Sequence, residues 1–206
     1  MPSPSKRVFF ADCIFDVGEN VYEPAEDSFL FAENLSARRG DCVLDMGTGC
    51  GMLGTVAAKQ GARVVAIDIN PYAVRCARDN ARLNRVVDRM FVVQGDLFSP
   101  LKRDERFDVI LFNAPYLPAE HREGDSWLER AWAGGVSGRQ VVDRFIQNAP
   151  KHLKRGGYVL MMQSNLAGLD ETLQAFEEKD LTASVLVRQD LPLFESLLLV
   201  RANSSG

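Results

Sequence analysis

The stretch that decides the fold is DMGTGCG, residues 45–51. It closes an apolar run, CVLDMG (42–47), and leads into MLGTVAAKQ (52–60), a helical pattern that stops before Gly61. A glycine turn between a buried strand and a helix lets the backbone approach a bound ligand closely. Glycine turns after strands are also common as simple connections, so the neighbouring residues have to decide what this turn does.

Strands and helices alternate along most of the chain. Short strands that are apolar on both faces, separated by helices, are typical of a parallel sheet covered on both sides. The last two strands are separated only by DLPLF (190–194), so they should pair as an antiparallel hairpin. We therefore expect an α/β fold with a Rossmann-like seven-stranded sheet, mostly parallel with a C-terminal antiparallel hairpin, and helices on both faces. The predicted strands are 42–47, 63–69, 90–96, 107–113, 157–163, 182–189 and 195–202, and the predicted helices are 52–60, 71–84, 139–154 and 166–179.

The composition is that of one ordinary globular domain over residues 1–206. With 46% hydrophobic and 25% charged residues, the chain can build its core without disulfides or a structural metal. The first 25 residues lie outside the alternation of strands and helices. We expect this N-terminal segment to cap the cofactor cleft.

Charge and cysteine usage narrow the class of protein. A net charge of −4 argues against nucleic acid as the main partner, because phosphate binding relies on basic surfaces. No apolar run reaches the length of a membrane span, so we expect a cytoplasmic protein with no membrane partner. The absence of any CxxC pair favours reduced core cysteines over a zinc site, and no metal is predicted. The cysteines are Cys13, Cys42, Cys50 and Cys76.

Three acids follow successive predicted strands. Asp45 precedes the first glycine of the turn, Asp68 ends the next strand, and Asp96 ends the third. The carboxyl ends of adjacent parallel strands form the ligand crevice of such sheets. A carboxylate at Asp45 would repel the pyrophosphate of NAD but suits a ligand with an ammonium group. Each acid alone could be only a helix cap.

This pattern resembles the S-adenosyl-L-methionine (SAM) site of class I methyltransferases. The resemblance implies SAM as cofactor and S-adenosyl-L-homocysteine as product. Asp68 would then accept bonds from ribose hydroxyls, Asp96 would accept from the adenine amino group, and Leu97 would offer apolar contact. The implied cofactor contacts are Ser28, Asp45, Gly47, Gly49, Asp68, Asp96, Leu97 and Asn113.

The segment NAPY (113–116) follows the fourth strand and resembles the (N/D)PPY motif of amino-group methyltransferases. An amide nitrogen is a poor nucleophile, so catalysis depends on positioning its lone pair. The side-chain oxygen of Asn113 and the carbonyl of Ala114 can accept its two N–H groups, while Tyr116 supplies a flat wall. Pro115 restricts Ala114 to extended geometry. Ala114 stands where the motif has its first proline, so we expect a less rigid site. The alternative is a proline-rich loop that only ends the strand.

Two further stretches indicate which amine is methylated. VYEPAEDSFL (21–30) and AWAGGVSGRQVVDRF (131–145) resemble the HemK family of glutamine methyltransferases, more closely the branch that acts on eukaryotic and archaeal class-one release factors. The implied substrate is the glutamine of a Gly-Gly-Gln loop on a peptide release factor. Independently, a helix could begin at Asp27 or Ser28, with the Ser28 amide and hydroxyl facing the SAM carboxylate. Gly134, Gly135 and Gly138 could leave a slot for the substrate loop or be ordinary turn glycines.

That branch usually works with a small zinc-binding activator subunit. The strand Met90–Gln94 should be an edge of the sheet, and it lacks protecting Lys or Pro. We expect the activator to pair with this edge. Alternative functions are methylation of nucleic-acid adenine N6 or of protein lysine, and a non-catalytic subunit that keeps only the fold.

Overall fold

The computed structural model describes residues 6–118 and 126–205. The chain divides into two compact units, Met1–Pro100 and Leu101–Gly206. The single domain over residues 1–206 therefore stays a prediction, as does the capping role of residues 1–25. No helix among the described residues is long and apolar enough to cross a bilayer.

The first unit contains a small hairpin and three parallel strands with helices. Strands β3, β4 and β5 lie in the order β5-β4-β3, with Leu44 opposite Val65 and Val65 opposite Phe91. The elements are β1 (Lys6–Phe10), β2 (Cys13–Val17), α1 (Glu26–Glu33), β3 (Cys42–Met46), α2 (Met52–Lys59), β4 (Arg63–Asp68), α3 (Pro71–Leu83) and β5 (Met90–Gln94).

The hairpin of β1 and β2 is held on α3 by two asparagine side chains. The side-chain amide of each asparagine both accepts from and donates to the backbone of one residue of β2, as a neighbouring strand would. Asn80 accepts from the Asp16 amide at 2.9 Å and donates to the Asp16 carbonyl at 3.0 Å. Asn84 makes the same pair of bonds with Ile14, at 2.9 and 2.7 Å. The hairpin of β1 and β2 is thus held by residues 64 and 70 positions further along the chain, which periodicity did not predict.

The second unit contains four strands in the order β6-β7-β9-β8. Strand β6 is parallel to β7, and β9 is antiparallel to both β7 and β8. The elements are β6 (Phe107–Asn113), α4 (Trp127–Arg130), α5 (Gln140–Asn148), β7 (Leu153–Ser164), α6 (Leu169–Glu177), β8 (Leu181–Asp190) and β9 (Ser196–Ser204), with short 3-10 helices at Ala149–His152, Asn165–Ala167 and Pro192–Phe194.

The predicted fold class is confirmed. Strands β3 to β9 belong to a seven-stranded sheet that is mostly parallel and ends in an antiparallel hairpin. Several predicted boundaries were wrong by a few residues. The helix predicted over 139–154 becomes 3-10 at Ala149, next to Pro150, and gives way to β7 at Leu153. The helix predicted over 166–179 starts only at Leu169, because Gly168 before it has a φ of 74°.

Strand β6 is anchored in the core of the second unit. Ile110, Leu111 and Phe112 are essentially buried, and the Phe112 ring stacks on Phe145 of α5 at a centroid distance of 4.2 Å. Helix α5 buries Val142, Phe145 and Ile146, the spacing that the sequence predicts for its inner face. The carboxyl end of β6, which delivers Asn113, is therefore held by large, close-packed side chains.

Candidate functional site

The glycine loop follows β3 in the first unit, as predicted. Gly47, Gly49 and Gly51 all have left-handed backbone, with φ of 66°, 57° and 86°. The Gly49 amide donates to the Asp68 carboxylate at 2.8 Å, which ties the loop to the end of β4. A Cβ built on Gly49 would meet no described atom within 4 Å, so the backbone there faces open space. The loop therefore has both the conformation and the room to receive a ligand.

Asp45 is buried at the end of β3, with 1% of its surface exposed. Its Oδ2 accepts from the Thr48 hydroxyl at 2.5 Å and from the Gly54 amide, in the first turn of α2, at 2.9 Å. Its Oδ1 is buried and has no hydrogen-bond partner within the described residues. Burial raises the pKa of this carboxyl to about 7. One oxygen is thus a helix cap, while the other is an acceptor to which a ligand's ammonium group could donate.

Asp68 and Asp96 lie next to the same loop. Asp68 ends β4, accepts from the amides of Gly49 and Asn70 at 2.8 and 2.9 Å, and has a pKa raised by burial. Strand β5 ends at Gln94, so Asp96 lies in the following loop rather than at the strand end. The Gly95 amide donates to the Asp68 carbonyl at 2.9 Å, which places this loop beside β4. Leu97 takes an unusual φ of 46°.

Ser28 lies in α1, but the helix begins before it. The helix starts at Glu26 with Ala25 as its N-cap, so a start at Asp27 or Ser28 was wrong. The amide and hydroxyl of Ser28 donate to the Asp27 carboxylate at 2.6 and 3.1 Å, and the Tyr22 hydroxyl donates to the same oxygen at 3.2 Å. These donors are engaged by the Asp27 carboxylate in this structure. Whether Ser28 contacts the cofactor stays a prediction.

The first-unit residues fit the cofactor implied by the sequence. The buried Asp45 oxygen suits an ammonium group, the Asp68 carboxylate suits hydroxyl donors, and the space at Gly49 admits a ligand against the backbone. Thr48, which sequence reasoning missed, fixes the Asp45 carboxylate. A hydroxyl residue inside a glycine loop three positions after an acid was the available signal. No group of three or more His, Cys, Asp or Glu in residues 6–118 and 126–205 could hold a metal ion.

The NAPY segment lies at the carboxyl end of β6 in the second unit. Asn113 is the last residue of the strand and is partly exposed. Ala114 is buried at 5% exposure, while Pro115 and Tyr116 are partly exposed. The segment then pairs with a neighbouring stretch, because the Leu117 amide donates to the Trp132 carbonyl at 3.1 Å. All four predicted catalytic residues thus occupy one short, supported turn.

Gly134 and Gly138 pack directly against this turn. A Cβ on Gly134 would lie 2.5 Å from the carbonyl oxygen of Pro115, and a Cβ on Gly138 would collide with the carbonyl oxygen of Tyr116. The Gly134 amide also donates to the Leu117 carbonyl at 2.8 Å. The NAPY backbone fills the Cβ positions of these two glycines, and a substrate slot at Gly134, Gly135 and Gly138 stays a prediction. These two glycines let a second loop brace the NAPY backbone.

Comparison with known proteins identifies the family. The methyltransferase small domain model matches residues 23–184, so the chain belongs to this family. It is 44% identical over 184 residues to a protein named N5-glutamine methyltransferase MJ0928 from Methanocaldococcus jannaschii, which covers 88% of this chain and 91% of the relative. It is 34% identical over 173 residues to human methyltransferase HEMK2, covering 79% and 80% of the two chains.

A solved structure agrees with these relatives. The E. cuniculi Mtq2–Trm112 complex, described as responsible for methylation of the translation termination factor eRF1, superimposes with a TM-score of 0.69 at 25% identity. The match covers 90% of this chain and 99% of that chain. The predicted class I methyltransferase fold and HemK-type resemblance are confirmed.

Asp45 predicts a specific pH dependence of stability. Folding raises the pKa of this carboxyl from 3.8 to about 7, so between these values the folded chain holds a proton that the unfolded chain has lost. The free energy of unfolding should therefore fall as pH rises from 4 to 7, by about 4 kcal/mol from this group, and level off above 7. Urea unfolding of the ligand-free chain across this range measures it. Asp45→Asn should lose this component, whereas exposed Asp104→Asn should retain it; identical pH profiles for all three would contradict the assignment.

The packing of Gly134 and Gly138 on the NAPY turn predicts that one added methyl group will strongly reduce activity. Gly138→Ala places a Cβ against the Tyr116 carbonyl and should displace the NAPY turn, lowering methyl transfer by about a hundredfold. Gly156→Ala is the matched control, because Gly156 has a φ of 74°, close to the 73° of Gly138, but no described atom within 4 Å of its Cβ position. Transfer rates and melting temperatures of both variants separate backbone strain from the collision. Equal rates in the two variants would show that the brace does not matter.

Proposed function

We propose that this member of the methyltransferase small domain family transfers a methyl group from SAM to the side-chain amide nitrogen of the glutamine in the Gly-Gly-Gln loop of a peptide release factor. The observation that carries the proposal is the 44% identity, over nearly the full length of both chains, to a relative that is named as a protein N5-glutamine methyltransferase. The NAPY turn supplies the residue types that this reaction requires.

SAM supplies an electrophilic methyl group and leaves as S-adenosyl-L-homocysteine. In the first unit, Asp45, Asp68 and the backbone at Gly47 and Gly49 would hold it, through the ammonium group, the ribose hydroxyls and close backbone approach. The roles of Ser28, Asp96, Leu97 and Asn113 as further contacts are part of the same proposal.

The NAPY residues would position the substrate amide. The Asn113 side-chain oxygen accepts one N–H of the glutamine, and the Ala114 carbonyl accepts the other. These bonds aim the nitrogen lone pair and favour the positive charge that develops on nitrogen as it attacks. Tyr116 forms the wall against which the planar amide lies. The amide nitrogen would form the new C–N bond as the bond between the methyl carbon and the sulfonium sulfur breaks, and it would lose one proton to solvent.

The replacement of a proline by Ala114 fits this mechanism. A proline would fix φ at this position, whereas alanine leaves it free. Ala114 is buried, Pro115 restricts its ψ, and Gly134 packs on the Pro115 carbonyl. Tertiary packing therefore supplies rigidity that the local sequence lacks.

A small activator subunit is the partner we propose, since a complex with Trm112 is the form of the similar Mtq2 structure. Strand β5 lies at the end of the strand order, and Phe91 and Val93 on its one face are 59% and 37% exposed. An exposed apolar edge strand is suited to pairing with a strand of another chain. We further propose that this activator binds zinc and that the enzyme works in the cytoplasm.

Transfer of labelled methyl from SAM tests the function. The chain with its activator should label a release factor, but not its Gln→Ala loop variant and not DNA. Asn113→Ala should reduce transfer by at least a hundredfold while changing SAM affinity by less than about threefold, because its main role is to hold the substrate. Label on DNA alone would favour a nucleic-acid methyltransferase. Equal loss of transfer and SAM binding would show that Asn113 acts through the cofactor.

Placing charged residues on β5 tests whether the activator binds to this edge strand. Phe91→Lys with Val93→Lys should weaken co-purification with the activator by at least about tenfold, because lysine on an edge strand opposes strand pairing. Leu186→Lys, on an exposed position of β8, is the control and should bind normally. Undiminished binding of the double variant would place the activator elsewhere.

A further inference from the structure

The turn between β8 and β9 carries two apolar side chains into solvent. Leu193 is 94% exposed and Phe194 is 98% exposed, the highest exposures among the large apolar residues that the structure describes. Both have left-handed backbone, with φ of 62° and 65°. This conformation is unfavourable for residues with a bulky side chain and persists only where surrounding contacts impose it. We call Leu193 and Phe194 the apolar tip.

Specific hydrogen bonds hold the apolar tip in place. The turn is closed by the Leu191 amide, which donates to the Glu195 carbonyl at 2.8 Å. Asn165, just after β7, donates from its side chain to the Phe194 carbonyl at 3.2 Å and accepts from the Ser196 amide at 2.8 Å. The Ser196 hydroxyl donates to Asp190 at 2.7 Å across the base of the turn. The loop is therefore built to present these side chains.

The apolar tip lies at the end of the sheet where β6 finishes and β9 begins, which is also the end that carries the NAPY turn. Asn113 pairs with Met162 of β7, and Met162 pairs with Leu199 of β9. With strands about 4.8 Å apart and residues about 3.4 Å apart along a strand, the start of β9 lies about 10 Å to the side of Asn113 and about 10 Å further out. The tip projects beyond that point. A partner that reaches Asn113 with one loop would face the tip with its adjoining surface.

We propose that the apolar tip is a docking surface for the folded domain of the protein substrate that carries the target glutamine. This inference rests on the proposed function and adds a second contact, remote from the reacting amide. Exposed aromatic and aliphatic side chains on a preformed loop gain binding energy at low entropic cost. Leu166 extends the apolar surface, because it is 54% exposed and follows the residue that clamps the turn.

The surroundings of the apolar tip favour a protein over a membrane. Asp190 at the base of the turn is paired with Arg188 at 2.8 Å, so Glu195 gives the turn a net negative charge, which an anionic lipid surface would repel. The distance to Asn113 distinguishes substrate classes in the same way. A short peptide can occupy the NAPY turn without touching the tip, whereas a folded domain can contact both.

Steady-state kinetics with two substrates test this proposal. The enzyme with its activator would be assayed on an intact release factor and on a short peptide containing Gly-Gly-Gln. Leu193→Asn with Phe194→Asn removes the apolar side chains, while asparagine tolerates left-handed backbone and keeps the turn. We expect KM for the intact factor to rise by about tenfold or more at unchanged kcat, with peptide kinetics unchanged. Leu186→Asn, on the same hairpin, should behave as wild type.

The outcomes separate this proposal from the proposed function. An unchanged KM for the intact factor in the double variant overturns the docking role alone. Equal losses on factor and peptide overturn it as well, since the tip would then act on the catalytic turn. If the wild-type enzyme modifies neither substrate, both proposals fall. Co-sedimentation of the wild type, but not the double variant, with phosphatidylserine vesicles would assign the tip to a membrane instead.

Discussion

The glycine loop and the start of α2 depend on the hydrogen bonds that the buried carboxyl group of Asp45 accepts. One oxygen accepts from Thr48 and from the Gly54 amide, so the acid joins the end of β3 to the helix that follows. Its other oxygen is buried without a partner among the described residues. Burial of a carboxyl group in this way disfavours its charged form and raises its pKa. Such a cost is typical of functional sites, where a ligand supplies the compensating group.

Rigidity at the NAPY turn comes from a second loop. Sequence reasoning treats Ala114 as a loss of stiffness, because alanine lacks the ring that fixes φ in proline. In the structure, the glycines at 134 and 138 bring their backbone against the carbonyls of Pro115 and Tyr116, at a distance that no Cβ would permit. The turn is therefore held by backbone packing rather than by its own residues. This arrangement explains why the stretch after the motif is rich in glycine.

Several residues other than glycine have left-handed backbone in loops next to strands. Leu97 follows β5, and Leu193 and Phe194 precede β9, all with positive φ. Leu193 and Phe194 are held by hydrogen bonds of their turn and of Asn165 rather than by burial of their own side chains. Strain and apolar exposure at such positions reduce stability, and they persist where binding gives a compensating benefit. The apolar tip and the Asp45 carboxyl group are alike in this respect. The side chains of the tip are not covered by the described residues, and one oxygen of Asp45 has no hydrogen-bond partner among them.

The sequence by itself determined where the candidate site residues stand relative to the strands: a glycine loop after β3, acids at the ends of β3 and β4 and in the loop after β5, and the NAPY turn at the end of β6. These features are local, because strand periodicity and turn residues are written in consecutive positions. Only the tertiary structure decided that an oxygen of Asp45 lacks a partner, that Gly134 and Gly138 brace the NAPY turn, and that Asn80 and Asn84 hold the N-terminal hairpin. These depend on contacts between residues distant along the chain, which no local pattern encodes. The left-handed apolar tip belongs to the same class, since its conformation is imposed from Asn165, about 30 residues earlier.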